Sequence, residues 1–483
     1  MIHQIINFKP ETIYSLGVDV KAITFDSRKA GEGVLFVAIK GTKSDGHDFI
    51  LSAIETGSKI IVCEKIPDGN FPNVEFIKVD DSAKALGYIA DIHYDSPSAQ
   101  MELIGVTGTN GKTTVATLLY NLAIEMGYKV GLFSTVAIYI NDEKIETAHT
   151  TPDAITLNAI MRKMVDAGCK YCFMEVSSHS VAQKRIAGLK FKGAIFTNIT
   201  HDHLDYHGTF DAYLKTKKEF FDGLEKDAFA LVNIDDKNGN VMVQNAKSQK
   251  YSYSLREMAD FNFKTIEVSS DGMLLNIKGQ EFWTPLIGKF NASNLAAVYG
   301  TAKLLGWNME NVLINMSKLK AVVGRAETIR TRNGATAIVD YAHTPDALKN
   351  IIDAVNSFRK KGSKLLVVVG AGGNRDVSKR PKMAQEAVKN SDTVILTSDN
   401  PRHENPEDII NQMLEGILPN ERNKVLSIVN RREAIRTACT LANKNDIVLI
   451  AGKGHETYQE INGVKYPFDD KEVIKDFTVQ SER

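Results

Sequence analysis

The chain has 483 residues with 59 basic and 59 acidic side chains, so its formal net charge is zero. A neutral chain is not organised around contacts with a nucleic-acid backbone, and we expect no nucleic-acid partner. The apolar content of 43% suffices for ordinary cores, while no apolar run could span a bilayer and no secretory signal opens the chain, so we expect a cytoplasmic protein.

The length favours about three domains, and short apolar strands alternating with helices predict an α/β fold. The first domain is expected over residues 1–98. Its strands are predicted at residues 22–25, 34–39, 60–63 and 74–77. Polar turns after the first two strands contain Ser27, Thr42 and Lys43, and taken alone such turns are ordinary solvated loops. Residues 96–100 are interpreted as a linker to the second domain.

A glycine-rich turn between a predicted strand and a predicted helix is the most informative stretch of the chain. Residues 103–106 are apolar and typical of a buried strand, and apolar residues recur at helical spacing over residues 115–122. Between them, the glycines of residues 107–114 would let backbone N–H groups approach phosphate oxygens at a helix start. Lys112 can reach the outer phosphates, and Thr113 can ligate Mg²⁺. The glycine spacing departs from the general phosphate-loop pattern, so a plain turn remains the alternative.

The rest of the central domain, expected over residues 99–326, alternates strands and helices as a parallel sheet requires. Strands are predicted at residues 171–176, 194–197 and 228–232, helices at residues 154–167, 210–221 and 291–305, and hairpins over residues 262–287. Cys169 and Cys172 have the spacing of a metal or redox pair. No second pair exists and Cys172 lies in a predicted strand, so both are interpreted as core residues.

Acidic and imidazole side chains gather where two of these strands end. Glu175 lies at the end of one strand, and residues 201–207, with three histidines and two aspartates, follow the next. Ligands bind outside the carboxyl ends of parallel strands, so we expect these groups to face the crevice that contains Lys112. Glu175 is the natural carboxylate ligand for a Mg²⁺ that accompanies a nucleotide. A zinc or dinuclear hydrolase site is the alternative for the histidines.

The third domain, expected over residues 327–483, repeats the alternation of strands and helices. Its strands are predicted at residues 335–340, 365–369, 393–396 and 447–450. This alternation is typical of a doubly wound α/β domain, whose ligands also bind at the carboxyl edge of the sheet.

Several short motifs, in order along nearly the whole chain, resemble those of the Mur ligases of bacterial cell-wall synthesis. They lie at residues 108–114, 175–179, 202–208, 291–294, 324–327, 340–346 and 452–456. The resemblance implies a smaller N-terminal α/β domain for a UDP-sugar, a central P-loop ATPase with a parallel sheet, and a C-terminal Rossmann-like domain for an incoming amino acid. It also implies ATP and Mg²⁺ as cofactors, and a reaction in which a substrate carboxylate becomes an acyl phosphate and then an amide.

The same resemblance implies roles for individual residues. Catalysis would rest on Lys112, Lys217 and His203. Mg²⁺ would be held by Thr113, Glu175, His203 and Lys217, the lysine carrying a carbamate formed by CO₂ on its neutral amine. ATP would contact Gly108, Thr109, Asn110, Gly111, Lys112, Thr113, Thr114, Asn291, Arg325 and Asp340. The UDP-muramoyl peptide would contact Ser27, Thr42, Lys43, Thr150, Thr151, Ser177, Gln183 and Arg185. Taken singly, most of these side chains are equally typical of helix caps and polar surfaces.

The turn Asp-Asn-Pro-Arg at residues 399–402 bears on the amino acid that is added. In the family it is typical of members that add meso-2,6-diaminopimelate to UDP-N-acetylmuramoyl-L-alanyl-D-glutamate, whereas lysine-adding members usually lack the arginine. Diaminopimelate has a distal carboxylate that lysine lacks, and Arg402 can pair with it. The implied contacts are Arg375, Asp399, Asn400, Pro401, Arg402, Gly452 and Glu456. The alternative is that this stretch is an ordinary Asn-Pro turn with an exposed arginine and no binding role.

Three other functions stay open at this point. A lysine-adding member of the same family would share every motif except the arginine-containing turn. A folate-polyglutamate-like synthetase would share the ATPase design but lack the first domain. A nucleotide-gated binding or regulatory protein would hydrolyse ATP without needing an amino acid. The enzyme is expected to act as a monomer.

Overall fold

The computed structural model describes residues 2–4, 20–41, 44–145 and 151–477. Within them the α/β fold expected from the sequence is confirmed, as separate sheets with helices packed on them. Thr42, Lys43 and Thr150 lie outside the described residues. No helix in the described ranges is long and apolar enough to cross a membrane.

The first unit is a five-stranded parallel sheet in the order β1-β5-β4-β3-β2. Its strands are β1 (Ile2–Gln4), β2 (Ala22–Thr24), β3 (Val34–Val37), β4 (Ile60–Cys63) and β5 (Glu75–Lys78). Its helices are α1 (Ile50–Glu55) and α2 (Ser82–His93), with 3-10 turns at Ser27–Lys29 and Gly46–Phe49. The predicted linker is a packed connection that contains the 3-10 turn Pro97–Ala99, and the buried Ser98 Oγ accepts the N–H of Lys190 at 3.0 Å.

The second unit is a nine-stranded sheet in the order β14-β13-β12-β11-β6-β10-β7-β8-β9, in which β8 pairs antiparallel with both of its neighbours and the other pairs are parallel. Its strands are β6 (Glu102–Thr107), β7 (Val130–Phe133), β8 (Ile138–Ile140), β9 (Glu143–Ile145), β10 (Tyr171–Glu175), β11 (Gly193–Phe196), β12 (Phe229–Asn233), β13 (Gln249–Ser254) and β14 (Phe261–Asn262). Its helices are α3 (Lys112–Glu125), α4 (Ala154–Asp166), α5 (Ser178–Ala182), α6 (Leu204–His207), α7 (Phe210–Asp222) and α8 (Gly239–Met242).

The interior of the central strand β6 is apolar because helices cover both faces of this sheet. Leu103, Ile104 and Val106 are fully buried, and the first packs into a different core from the other two. Each of the four cysteines is buried without a disulfide, which confirms their interpretation as core residues.

The predicted hairpins are confirmed as a small antiparallel sheet beside the second unit. It contains β15 (Lys264–Ser269), β16 (Gly272–Ile277) and β17 (Gln280–Thr284). Two helices follow, α9 (Lys289–Leu304) and α10 (Met309–Met316). Helix α9 packs against α3, and so supports the helix that begins at the phosphate loop.

The last unit is a six-stranded sheet in the order β18-β19-β23-β20-β21-β22, with only β18 antiparallel. Its strands are β18 (Glu327–Arg330), β19 (Thr336–Asp340), β20 (Leu365–Val369), β21 (Thr393–Leu396), β22 (Val425–Ser427) and β23 (Ile447–Ala451), followed by the hairpin β24 (Tyr458–Ile461) and β25 (Val464–Pro467). Its helices are α11 (Pro345–Phe358), α12 (Lys379–Lys389), α13 (Pro406–Leu414), α14 (Arg431–Leu441) and α15 (Asp470–Lys475), with a 3-10 turn at Pro419–Lys424. This is the doubly wound unit predicted from the sequence.

Candidate active site

The glycine-rich turn connects β6 to α3, and two of its glycines are required by close backbone approach. A Cβ on Gly108, whose φ is +153°, would lie 1.9 Å from Thr197 Oγ1. A Cβ on Gly111, whose φ is +86°, would lie 2.7 Å from Asn294 Oδ1. The Asn198 side chain accepts the N–H of Asn110 at 2.9 Å. The loop is therefore held against the end of β11, in the glycine-dependent conformation that a phosphate-binding turn needs.

Lys112 begins α3 and folds back over this loop. Its Nζ donates to the backbone carbonyls of Gly108 at 3.0 Å and Thr109 at 2.8 Å. Burial lowers the pKa of Lys112, while the nearby carboxylates of Glu175 and Asp202 act in the opposite direction. The ammonium thus lies among anions in a crevice that faces the loop, where it can pair with a bound phosphate.

Glu175 at the end of β10 is fully buried, and only one of its two carboxylate oxygens accepts hydrogen bonds from the described residues. Its Oε1 accepts the backbone N–H of Thr135 at 2.7 Å and the hydroxyl of the same residue at 3.0 Å. Its Oε2 has no hydrogen-bond partner among the described residues. The Thr135 hydroxyl also lies 2.8 Å from Thr113 Oγ1. A buried carboxylate oxygen without a donor is costly unless a cation lies against it, so this cluster of oxygens fits a divalent metal ion.

Lys217 on α7 is buried beside the same loop. Its Nζ donates to the Gly108 carbonyl at 2.9 Å and lies 4.8 Å from the ring centroid of Tyr213. Burial and the charge of Lys112 lower the pKa of Lys217 well below its ordinary value. The lowered pKa favours the neutral amine, which is the form that reacts with CO₂.

His203, the other proposed metal ligand, lies beside Asp202. Its Nε2 is 3.4 Å from Asp202 Oδ2, and burial is the main reason that the pKa of His203 falls to about 3. A neutral imidazole is the form that binds metals. Over the described part of the chain, no three His, Cys, Asp or Glu side chains form a group that could hold a metal. The zinc or dinuclear alternative therefore gains no support.

Arg325 and Asp340 lie where the second unit meets the last. The Arg325 guanidinium donates to Thr113 Oγ1 at 3.0 Å and lies 4.4 Å from the ring centroid of Tyr341. Asp340 accepts the backbone N–H groups of Ala326 at 2.7 Å and Ala342 at 2.8 Å, and burial raises its pKa. Arg325 thus reaches the start of α3, next to Lys112.

Asn291, in contrast, makes its hydrogen bonds to neighbouring residues of its own segment. Its Nδ2 donates to the Ile287 carbonyl at 2.9 Å, and its Oδ1 accepts from Asn294 at 3.1 Å. It does not line the cavity described below, whereas Asn294 does.

The side chains expected to contact the UDP-muramoyl peptide are partly brought together. Arg185 donates to the Thr151 carbonyl and to Gln183 Oε1, each at 2.6 Å, and Ser177 caps the first turn of α5. All four line the same cavity as Lys112. Ser27 lies away from that cavity, in the 3-10 turn of the first unit.

The residues expected to contact the amino acid line the far end of this cavity. The Arg402 guanidinium donates to the Gly373 carbonyl at 2.7 Å and lies 3.4 Å from Glu460 Oε2. Asn400 Nδ2 donates to Glu456 Oε2 at 2.8 Å. Arg375, Asp399, Arg402, Gly452 and Glu456 line the cavity together with Asn400, whereas Pro401 does not.

One cavity of about 1320 Å³ therefore connects the phosphate loop with the residues expected to contact the muramoyl peptide and with those expected to contact the amino acid. Sequence reasoning gave no role to two side chains that line the cavity, Thr135 and Lys379, or to Lys453, which lies behind it. Thr135 follows the carboxyl end of β7, a position that could have marked it. Lys453 lies inside the motif at residues 452–456, which was recognised without a role for the lysine. No sequence signal distinguishes Lys379 from the other lysines of its helix.

Comparison with known protein families finds a matching family model for each of the three units. A family model described as Mur ligase family, catalytic domain, matches residues 19–94, Mur ligase middle domain matches residues 106–302, and Mur ligase, glutamate ligase domain, matches residues 324–454. These matches show an ATP-dependent, amide-bond-forming ligase. The chain belongs to the Mur ligase family.

Individual relatives match almost end to end. A UDP-N-acetylmuramoyl-L-alanyl-D-glutamate–2,6-diaminopimelate ligase from Phocaeicola vulgatus is 57% identical over 96% of each chain. One of the same name from Clostridioides difficile is 41% identical over 98% of this chain and 97% of its own. A solved structure of an enzyme with this name has 32% identity and a TM-score of 0.67 over 94% of both chains.

Proposed function

We propose that this enzyme joins meso-2,6-diaminopimelate to UDP-N-acetylmuramoyl-L-alanyl-D-glutamate with ATP, in peptidoglycan synthesis. The observation that carries the proposal is the single cavity in which Lys112 and the turn containing Arg402 face the same space. Relatives named for this reaction, at 57% identity, support it. The arginine-containing turn supports diaminopimelate over lysine, since only diaminopimelate offers a distal carboxylate to pair with the guanidinium.

In the proposed mechanism the substrate carboxylate attacks the γ-phosphate of ATP and becomes an acyl phosphate, while the bond to the β-phosphate breaks and ADP leaves. The amine of the incoming amino acid then attacks the acyl carbon, and phosphate leaves. Lys112 and Arg325 neutralise the transferring phosphoryl group, and the P-loop N–H groups hold the nucleotide. Because an acyl phosphate hydrolyses in water, the cavity must close around the reactants.

Mg²⁺ would be held by Thr113, Glu175, His203 and the carbamate of Lys217. When bound, it supplies charge neutralisation to the phosphate oxygens. The unpartnered Oε2 of Glu175 and the lowered pKa of the Lys217 amine support this assignment. A carbamate would replace the buried amine with an anion, which suits a metal ligand next to a phosphate loop.

The domain boundaries and the nucleotide-sugar site are part of the same proposal. We assign residues 1–98 to UDP-sugar binding, 99–326 to the ATPase and 327–483 to the amino acid, with Ser27 and the turn at residues 42–43 holding the UDP group. Thr150 and Thr151, with Ser177, Gln183 and Arg185, would hold the peptide. A monomer is proposed as the working unit. The proposed substrates, ATP and a UDP-sugar, are cytoplasmic metabolites.

Release of ADP tests the proposal directly. Purified enzyme with ATP and Mg²⁺ is given UDP-N-acetylmuramoyl-L-alanyl-D-glutamate and meso-diaminopimelate, and each is omitted in turn. We expect rapid ADP release only in the complete mixture. Release without an amino acid would favour the nucleotide-gated regulator, and release with a folate and glutamate would favour the folate-type synthetase. Equal or faster release with L-lysine would favour the lysine-adding member.

A further inference from the structure

Lys453 lies behind the amino-acid end of the cavity, where nothing above gives it a role. It follows β23 and is fully buried. Its Nζ lies 3.3 Å from Asp399 Oδ1, 2.9 Å from Asn400 Oδ1 and 3.3 Å from Glu456 Oε2. These three partners line the cavity, whereas Lys453 does not. The ammonium therefore reaches the amino-acid site only through the groups that would touch the substrate.

The surrounding backbone holds this lysine in one position. The buried Arg431 donates to the carbonyl of Ala451, two residues before Lys453, at 3.0 Å. Gly452 has a φ of +115°, and a Cβ there would lie 3.1 Å from Asp399 Oδ2. Asn400 Oδ1 also accepts the N–H of Glu460 at 2.9 Å. The lysine and its partners are thus one connected network rather than a flexible surface pair.

The charges of this network suit one kind of ligand. Asp399 and Glu456 bring two negative charges, and Lys453 cancels one of them, so the inner cluster has one surplus negative charge. A single distal ammonium neutralises it. Arg402 already has a partial counterion in Glu460, and it offers its guanidinium to a distal carboxylate. Without Lys453 the cluster would hold two negative charges, and a purely cationic end such as that of L-lysine would become the better match.

We propose that Lys453 is a specificity-determining positioning residue. Its ammonium holds the oxygens of Asp399, Asn400 and Glu456 in the arrangement that accepts one ammonium, and it limits their charge so that an amino acid with a zwitterionic distal end is preferred over one with a cationic end. The inference rests on the proposed function, because it concerns how that substrate is selected. A purely structural lysine would affect both amino acids alike.

The test compares kcat/KM for meso-diaminopimelate and L-lysine in four proteins. The wild type sets the reference ratio. Lys453→Met removes the charge and the hydrogen-bond donor. Lys453→Gln removes the charge but keeps an N–H donor on a side chain of similar length, and this variant is used if Lys453→Met does not fold. Lys465→Met is the matched control. Lys465 is exposed in β25, and its Nζ lies 4.3 Å from the centroid of the Tyr458 ring, which Lys453 Nζ also approaches at 5.8 Å. The control thus removes a second cation from this ring without removing a hydrogen bond to Asp399, Asn400 or Glu456.

We expect the ratio of diaminopimelate to lysine to fall by roughly tenfold or more in both Lys453 variants, mainly through a higher KM for diaminopimelate. The KM for ATP is expected to change little, and Lys465→Met is expected to keep the wild-type ratio. If a folded Lys453 variant keeps the wild-type ratio, with both amino acids losing activity equally, the inference is overturned. If the wild type itself does not prefer diaminopimelate, the proposed function is wrong, and the two failures are therefore distinguishable.

Discussion

Lys379 and Asp202 form an ion pair between the second and the last sheet units, with Lys379 Nζ 2.5 Å from Asp202 Oδ1. The two side chains are only 16% and 6% exposed. Burial alone would raise the pKa of Asp202, but His203 and Lys379 together hold it well below its usual range. The pair closes one side of the cavity immediately beside His203. It therefore connects the last unit to the proposed metal site.

Removing this pair should loosen the closed cavity. We expect Lys379→Met to lower the free energy of unfolding by about 1–3 kcal/mol, because a buried carboxylate loses a charged hydrogen-bond donor. The variant should also lower kcat, since closure is needed to exclude water. A double-mutant cycle with Asp202→Asn, read by denaturant unfolding, measures the coupling. Strictly additive effects would show that the pair does not act as one unit.

Lys112→Ala should abolish turnover while the protein stays folded. The ammonium faces the phosphate loop, and losing a charge at a developing phosphoryl group costs several kcal/mol of transition-state stabilisation, or roughly a hundredfold or more in rate. The rate of ADP release and the melting temperature are measured together. Near-normal turnover in a folded variant would remove Lys112 from the catalytic assignment.

Lys217 is expected to carry a carbamate when Mg²⁺ and nucleotide are bound. The lowered pKa of its buried amine favours the neutral form, which can react with CO₂, and the product would be an oxygen ligand. A ¹³CO₂-labelled sample should show a carbamate resonance that is absent in Lys217→Ala and present in Lys215→Ala, whose lysine is exposed on the same helix. A high-resolution density map with a bare ammonium at Lys217, in the presence of Mg²⁺ and nucleotide, would contradict this prediction.

Arg402→Ala should lose most of the preference for diaminopimelate over lysine. With lysine bound, the wild-type guanidinium lacks its carboxylate partner, and an unsatisfied charged group costs roughly 3 kcal/mol, or more than a hundredfold. Arg402→Lys keeps the charge but not the two-pronged geometry, so its preference should lie between the two. The measurement is kcat/KM for both amino acids. A preference that survives the alanine substitution would place the recognition of the distal carboxylate elsewhere.

Acid should destabilise the enzyme partly through His455. Burial, followed by the charge of Arg325, lowers the pKa of His455 to about 3. In the unfolded chain a histidine titrates near 6.5. Between these values the unfolded state binds a proton that the folded state does not, so the free energy of unfolding falls as pH decreases from about 6.5 to about 3.

The comparison of wild type with His455→Asn isolates this effect. The variant has no group that titrates in that range at this position, so its melting temperature should fall less steeply with acidification. Other histidines with lowered pKa values, such as His203, are present in both proteins. Parallel curves would show that His455 does not carry a linked proton.

Local patterns in the sequence determined the elements and the nucleotide site. The strands at Ile60–Cys63, Leu365–Val369 and Thr393–Leu396 have the predicted bounds, because apolar runs between turn residues act over a few neighbours. The phosphate loop could likewise be predicted from the sequence, since strand, glycine turn, lysine and helix follow one another in the chain. The two glycines with positive φ in this loop are required because other side chains rarely adopt that backbone conformation.

Only the tertiary structure decided which charges meet. Lys379 and Asp202 are 177 positions apart, and Lys453 and Asp399 are 54 apart. A lysine in a helix or after a strand looks the same in sequence whether it faces water or a buried carboxylate. Its role depends on distance and on burial, which the packing of separate units sets. The charge balance of the amino-acid site is therefore a property of the folded chain rather than of any motif.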